Sequence, residues 1–329
     1  MPDPETNRLV ELADVDELLR HVDRLCSRRD WDELERVRVL CRAAVERGRQ
    51  LWPVASHAEY RLALEGDARA AARVLVEGTG RFALGPLTEV AASTHSWAEL
   101  APHLEPGPIR SLVAYERVVR GEDLSSDRSI DTSIFELPLD LDDWEPEYPV
   151  ATYRADKADF PAPAFELSDW IELGGEPILE ADPVTTEALV ELVTPWTSES
   201  NGRADAVAAR GDITQALSAL RLVRARIAAV SPADAMAVMA WAGASGGAHG
   251  RRRGAAAGRF SAWWVLASVA DLVDDWPADR DDMAVAAEDL QWFVWDGGEA
   301  HTGWQLNLAI TDPQNDVSWA VMASDAAAD

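Results

Sequence analysis

Hydrophobic residues in the first third of the chain return at intervals of three and four. Leu12, Val15, Leu18, Leu19, Val22 and Leu25 form one stripe, and Leu34, Val37, Leu40, Cys41 and Val45 form the next. That spacing puts apolar side chains on one face of an α-helix. Asp14 with Glu17, and Asp30 with Glu33, have the form of capping boxes, in which a side chain satisfies an orphaned amide at a helix start. Gly48 stops the second helix. Pro53 suits the first turn of a third helix ending at Gly66, and Asp67 starts an Ala-rich one through Leu75 and Val76. Further short helices are predicted over Pro86–Ser93, Ser96–Leu104 and Pro108–Gly121. Helices this short must stack as antiparallel hairpins to bury their stripes. Residues 1–124 therefore read as a helical-hairpin domain, repeat-like but without a fixed period, and only loosely HEAT-like or TPR-like.

Beyond Ser125 the periodicity fails. Prolines at 138, 146, 149, 161, 163, 177, 183 and 195 leave room for a helix only at Thr185–Val193 and for short extended pieces at Val150–Arg154 and Phe165–Leu173. Residues 125–201 read as an acidic, Pro-rich connector with short strands. Helical character resumes at Ile213–Val230, and Ser231, Pro232 and Asp234 start another helix through Trp241. A third is predicted over Phe260–Asp275. The period then changes to two. Leu290, Trp292 and Val294 alternate with other positions, as do Trp304, Leu306, Leu308 and Ile310, and then Val317, Trp319 and Val321. Turn residues at Asp296-Gly297-Gly298 and Asp312–Asp316 join these runs into an expected three-stranded antiparallel meander. Residues 202–329 thus read as an α+β domain, and the whole chain as mainly α, α+β overall.

Composition narrows the functional classes. The chain has 58 acidic and 30 basic residues, a formal charge of −28, and every basic residue except Lys157 is arginine. Residues 126–200 hold 19 of the acids against 3 bases. Such a field repels nucleic acid, so general DNA or RNA binding is not expected. The excess acid suits solubility in a crowded or salt-rich cytosol, or an acidic docking surface for a basic partner. Cys26 and Cys41 fall on apolar positions without a C-x-x-C pair, as expected of buried, reduced thiols in the cytoplasm. The N-terminal MPDPETNRLV lacks the features of a signal peptide. The longest apolar run, near Phe260–Val273, is too short to span a bilayer.

The densest positive cluster overlies a ladder of small residues at 242–262. Gly246, Gly250, Gly254 and Gly258 recur every fourth residue, with Arg251, Arg252, Arg253 and Arg259 among them. Projected on a helix at 100° per residue, the glycines share one face, suited to close helix packing. His249, Arg252 and Arg259 then share the other, flanked by Arg251 and Arg253. Each helical glycine costs about 1 kcal/mol relative to alanine. The competing conformation is a loop across Gly243–Gly250 whose amides face an anion, with a helix starting near Arg251. Three uses of the segment follow: packing with the arginines paired to the protein's own acids, an anion or nucleotide site, or a surface for a protein partner.

Other chemistry has less support. Gly243-Ala244-Ser245-Gly246-Gly247 matches G-x-S-x-G, and Ser245, Asp296 and His301 follow a hydrolase order, but a nucleophile elbow needs a preceding strand and a parallel sheet. The six histidines lack metal-ligand spacing, so no metal or cofactor is implied. Asp296, Glu299 and His301 are explained by a hairpin tip, and Asp140, Asp142 and Asp143 lack the remainder of an EF-hand. Neither a Walker A sequence nor G-x-G-x-x-G is present. Eight of the 14 tryptophans lie between Trp241 and Trp319, mainly a core signal.

FALGPLTEVAASTHSWAELAPHL (82–104) and GGAHGRRRGAAAGRFSAWW (246–264) resemble stretches of an uncharacterised conserved protein family of actinobacteria. That resemblance implies no activity, substrate or catalytic residue. The function expected is that of a non-enzymatic cytoplasmic binding or scaffold protein, contacting a partner through His249, Arg251, Arg252, Arg253 and Arg259. The alternative is an enzyme or sensor that holds a phosphorylated small molecule or nucleotide at the same segment.

Overall fold

The computed structural model describes residues 4–300 and 303–327. The N-terminal helices are α1 (Pro4–Leu12), α2 (Val15–Arg28), α3 (Trp31–Glu46), α4 (Trp52–Glu65) and α5 (Ala68–Val74), and aspartate caps start three of them. Asp14, Asp30 and Asp67 accept from the amides of Glu17, Glu33 and Ala70, the third residue of each helix. The glutamates do not complete the expected boxes. Glu17 turns to Arg20 and Arg24, and Glu33 accepts from Thr6 of α1 at 2.6 Å. Since the Thr6 hydroxyl gives its one proton to Glu33, the buried His21 donates through Nε2 to Thr6, tying α1 to α2. The row continues with α6 (Leu87–Thr94), α7 (Trp97–Leu100) and α8 (Pro108–Val118).

Helix α4 is central, and its Glu59 and Arg61 are both buried. Glu59 is fully buried; Arg42 grips its carboxylate through two nitrogens at 2.7 and 2.8 Å, and the Gly80 amide donates at 2.9 Å. A small hairpin, β1 (Thr152–Tyr153) with β2 (Ala158–Asp159), belongs to the same unit, where the Tyr153 hydroxyl donates to buried Glu89 at 2.6 Å. That unit comprises the residues through Val118 with Glu122–Ile134 and Ala151–Phe160; the second comprises Val119–Gly121, Phe135–Val150 and Pro161 onwards. Both therefore draw on the acidic stretch 125–201.

In the second unit a short β3 (Ile171–Glu172) precedes α9 (Pro183–Glu191), α10 (Thr194–Ser198), β4 (Arg203–Arg210), α11 (Ile213–Ala219), β5 (Arg224–Val230), α12 (Pro232–Ala244), α13 (Ala255–Val269) and α14 (Arg280–Asp289). Strands β6 (Gln291–Asp296), β7 (Gly303–Asp312) and β8 (Val317–Ala326) follow. The fold is α+β, and two expectations about this unit change. The three C-terminal strands do not form a small sheet; they are the middle of a six-stranded antiparallel one, ordered β3-β5-β6-β7-β8-β4. The helix expected over Ile213–Val230 ends at Ala219, and Arg224–Val230 is a strand paired with β6. Alanine-rich alternation reads equally as helix, and only the neighbouring strand decides it.

Side chains alternate across the sheet. Trp295, Ala309 and Ala320 share one cluster with Ala216 and Leu217 of α11 and with Leu220, which caps its C-terminus. Trp292, Leu308, Ile310 and Val321, on the other parity, are buried on the opposite side, and α9 and α12 also pack on the sheet. One segment guards both sheet edges: β3 pairs with β5, and Leu179 bridges to Ala209 of β4.

Candidate functional site

The ladder segment is two helices and an elbow rather than one helix. Helix α12 ends at Ala244, residues 245–254 are non-helical, and α13 begins at Ala255. Only Gly258 does the packing expected of all four glycines. A Cβ there would strike the Ala240 carbonyl, and Gly243, whose own Cβ position lies 3.3 Å from the Gly258 Cα, is its partner across the helix crossing. Gly246 and Gly250 instead press their backbones together inside the elbow, and Gly254 takes φ 101° just before α13, where an L side chain is strained.

The elbow is held by the protein's own acids. Ala248 donates its amide to Asp325 of β8 at 2.6 Å, and Arg251 donates its amide to Glu199 at 2.8 Å. Gly247, at φ 69°, turns the chain against Asp325 and the fully buried Trp196; the Arg253 amide returns to the Ala244 carbonyl at 2.8 Å. Two amides of the turn expected to face an external anion, those of Ala248 and Arg251, thus donate to internal carboxylates instead.

The four arginines divide into three environments. Arg259 is fully buried and makes a two-nitrogen fork to Glu145, both contacts at 2.7 Å, with further bonds to the Pro138 and Asp140 carbonyls at 2.8 Å. Glu145 also accepts from Trp263 at 2.9 Å and Tyr148 at 2.5 Å. Burial alone would raise its carboxyl, but the Arg259 charge and these donors hold it below the ordinary carboxylate range. Burial, with Glu145 alongside, pushes the Tyr148 hydroxyl well up. Arg259 is thus part of the core and is corrected as a surface contact residue.

Residues 251–254 have no regular secondary structure, so the helical projection does not apply to them. Arg251 and Arg253 are exposed, whereas Arg252 is half-buried and already engaged within the protein. This reverses the helical projection, which grouped Arg252 with Arg259. His249 is exposed at the turn just before them and has its own interaction within the protein.

The sequence matches the model of DUF6183, a family of unknown function, over residues 16–327. The chain belongs to that family. No curated protein and no solved structure matches it. In this DUF6183 chain the matched region contains the elbow, Arg259 and Glu145.

The remaining candidates separate. Ser245 follows a helix, not a strand, and its Oγ accepts from the Gly247 amide at 3.1 Å, so the G-x-S-x-G match forms no nucleophile elbow. Asp296 is bound to Arg226 and to the Gly298 amide, and His301 lies outside the described residues. Asp140 and Asp142 are held by Arg280. Glu145, Glu199, Asp325 and Trp196 were not legible as site residues. Each meets the segment from far along the chain, Glu145 being 114 residues from Arg259.

Proposed function

We propose that this chain is a non-enzymatic, cytoplasmic binding or scaffold protein that grips a carboxylate or phosphate on a protein partner through the elbow. The observation that carries this is the exposed pair Arg251 and Arg253. They stand two residues apart on the same non-helical stretch, both exposed, and their long side chains can bring two guanidinium forks to a single anionic group or to neighbouring ones. Asp325 and Glu199 already order the backbone, so binding immobilises only side chains. Arg252 and His249 support the pair, and the chain's charge opposes general nucleic-acid binding.

Fluorescence anisotropy with a labelled peptide of alternating Glu and phosphoserine tests the proposal. Binding is expected to weaken at least tenfold in Arg251→Ala/Arg253→Ala and to fall with salt. Equal affinity in the variant would remove the proposal. A thermal-shift screen against nucleotides and sugar phosphates addresses the alternative. A stabilisation of about 2.7 kcal/mol at 100 times Kd, lost in the same variant, would favour an enzyme or sensor.

A further inference from the structure

A second group of arginines lies in the other unit, where the α2–α3 and α4–α5 turns come together. Arg29, Arg69 and Arg73 line a cavity of about 220 Å³ there, with Trp31 as one wall. Arg29 ends α2 in the left-handed region (φ 55°), its amide closing on the Cys26 carbonyl, and so leaves the helix axis at this turn. Arg69 and Arg73 are four residues apart on α5 and share a face.

The carboxylates of the cavity are largely committed. Asp30 caps α3 and Asp67 caps α5, each through a backbone amide, so their charge is offset by the helix ends. Asp32 pairs with Arg73 at 3.1 Å, but its side chain is 92% exposed. Among the described residues, Arg29 and Arg69 have no hydrogen-bond or ion-pair partner for their side chains. Two uncommitted guanidinium groups therefore face one cavity. The chain's overall negative field does not forbid an anion here, since at physiological salt it is screened beyond about 8 Å. An adjoining cavity of about 460 Å³, lined by Cys26, Arg29, Trp31, Glu65, Gly66 and Asp67, shares Arg29, Trp31 and the capping Asp67 with the first, and its Glu65 is paired with Arg61 at 2.8 Å.

We infer that this groove binds a phosphate monoester. Arg29 and Arg69 hold the phosphoryl oxygens, Arg73 exchanges its exposed Asp32 contact for them, and the organic group lies along Trp31 in the adjoining cavity. Titration calorimetry at constant ionic strength, with inorganic phosphate and phenyl phosphate as probes, tests it. Both probes are expected to bind the wild-type chain, phenyl phosphate at least threefold tighter. Arg29→Gln/Arg69→Gln, two exposed positions, is expected to weaken both at least tenfold with an unchanged circular dichroism spectrum. Trp31→Ala is expected to remove only the phenyl advantage. Arg251→Ala/Arg253→Ala is expected to leave both affinities unchanged, which separates this groove from the elbow. No binding of either probe at 10 mM, or equal binding by the Arg29/Arg69 variant, overturns the inference.

Discussion

Removing Glu145 is expected to do more damage than any change at the exposed arginines. In Glu145→Ala the Arg259 guanidinium stays fully buried and keeps only the Pro138 and Asp140 carbonyls as acceptors. Breaking one side of a buried ion pair costs about 3–5 kcal/mol. Trp263 and Tyr148 lose their shared acceptor as well, and a buried donor left unpaired costs about 1–3 kcal/mol. These terms overlap, so the expected loss is about 5 kcal/mol, similar to the whole stability of a modest domain. Glu145→Leu/Arg259→Met removes both charges at similar volume. By the behaviour of other buried pairs it is expected to lie between neutral and a few kcal/mol more stable, less what Tyr148 and Trp263 lose. A chain of two units need not unfold in one step, so the suitable assay is urea-dependent hydrogen exchange at α13 amides, which reports this unit alone. The cycle through Glu145→Leu, Arg259→Met and the double variant should yield a coupling energy of about 3 kcal/mol or more. Single-variant costs that simply add would refute the assignment of Glu145 and Arg259 as one interdependent core unit. The pH dependence has a definite sign. Glu145 is held below its ordinary value, so its contribution is complete above the unfolded carboxylate pKa and is lost as pH falls through the folded one.

Gly258→Ala should destabilise by about 1–3 kcal/mol from overpacking against Ala240, although glycine to alanine in an uncrowded helix gains about 1 kcal/mol; a raised melting temperature would disprove the close crossing. Burial pushes the Cys26 and Cys41 thiols up to about 12, so neither should react with a thiol reagent at pH 8 until denaturant is added. Labelling of the native chain at the rate of free cysteine would contradict this. Burial, with Arg61 nearby, lowers His57, so the folded chain resists its protonation and stability should decline as pH drops below the ordinary histidine value of about 6.5. His57→Gln should flatten that slope between pH 6.5 and 5.5, and an unchanged slope would rule His57 out as its source.

Most of the helical unit was legible because its signals are local. Asp14, Asp30 and Asp67, like Ser231 in the second unit, each accept from an amide three residues on, a distance set by helix geometry alone. The alternation from Trp292 to Val321 likewise announced strands, since period two needs no partner to be visible. Arg203–Arg210 and Arg224–Val230 were not legible. Both are alanine-rich, and their extended state depends on hydrogen bonds to β8 and β6. The elbow shows the same division. Small residues every fourth position allow a helix crossing, and one occurs at Gly258, but which glycines turn the chain depends on Asp325, Glu199 and Trp196 packing beneath them. Sequence by itself determined most helices of the first unit, the terminal strands and the presence of an arginine cluster. Tertiary structure alone decided that Arg259 belongs to the core and that Arg251 and Arg253 form the exposed pair. A guanidinium's role depends on which carboxylate reaches it, and here that carboxylate comes from 114 residues away.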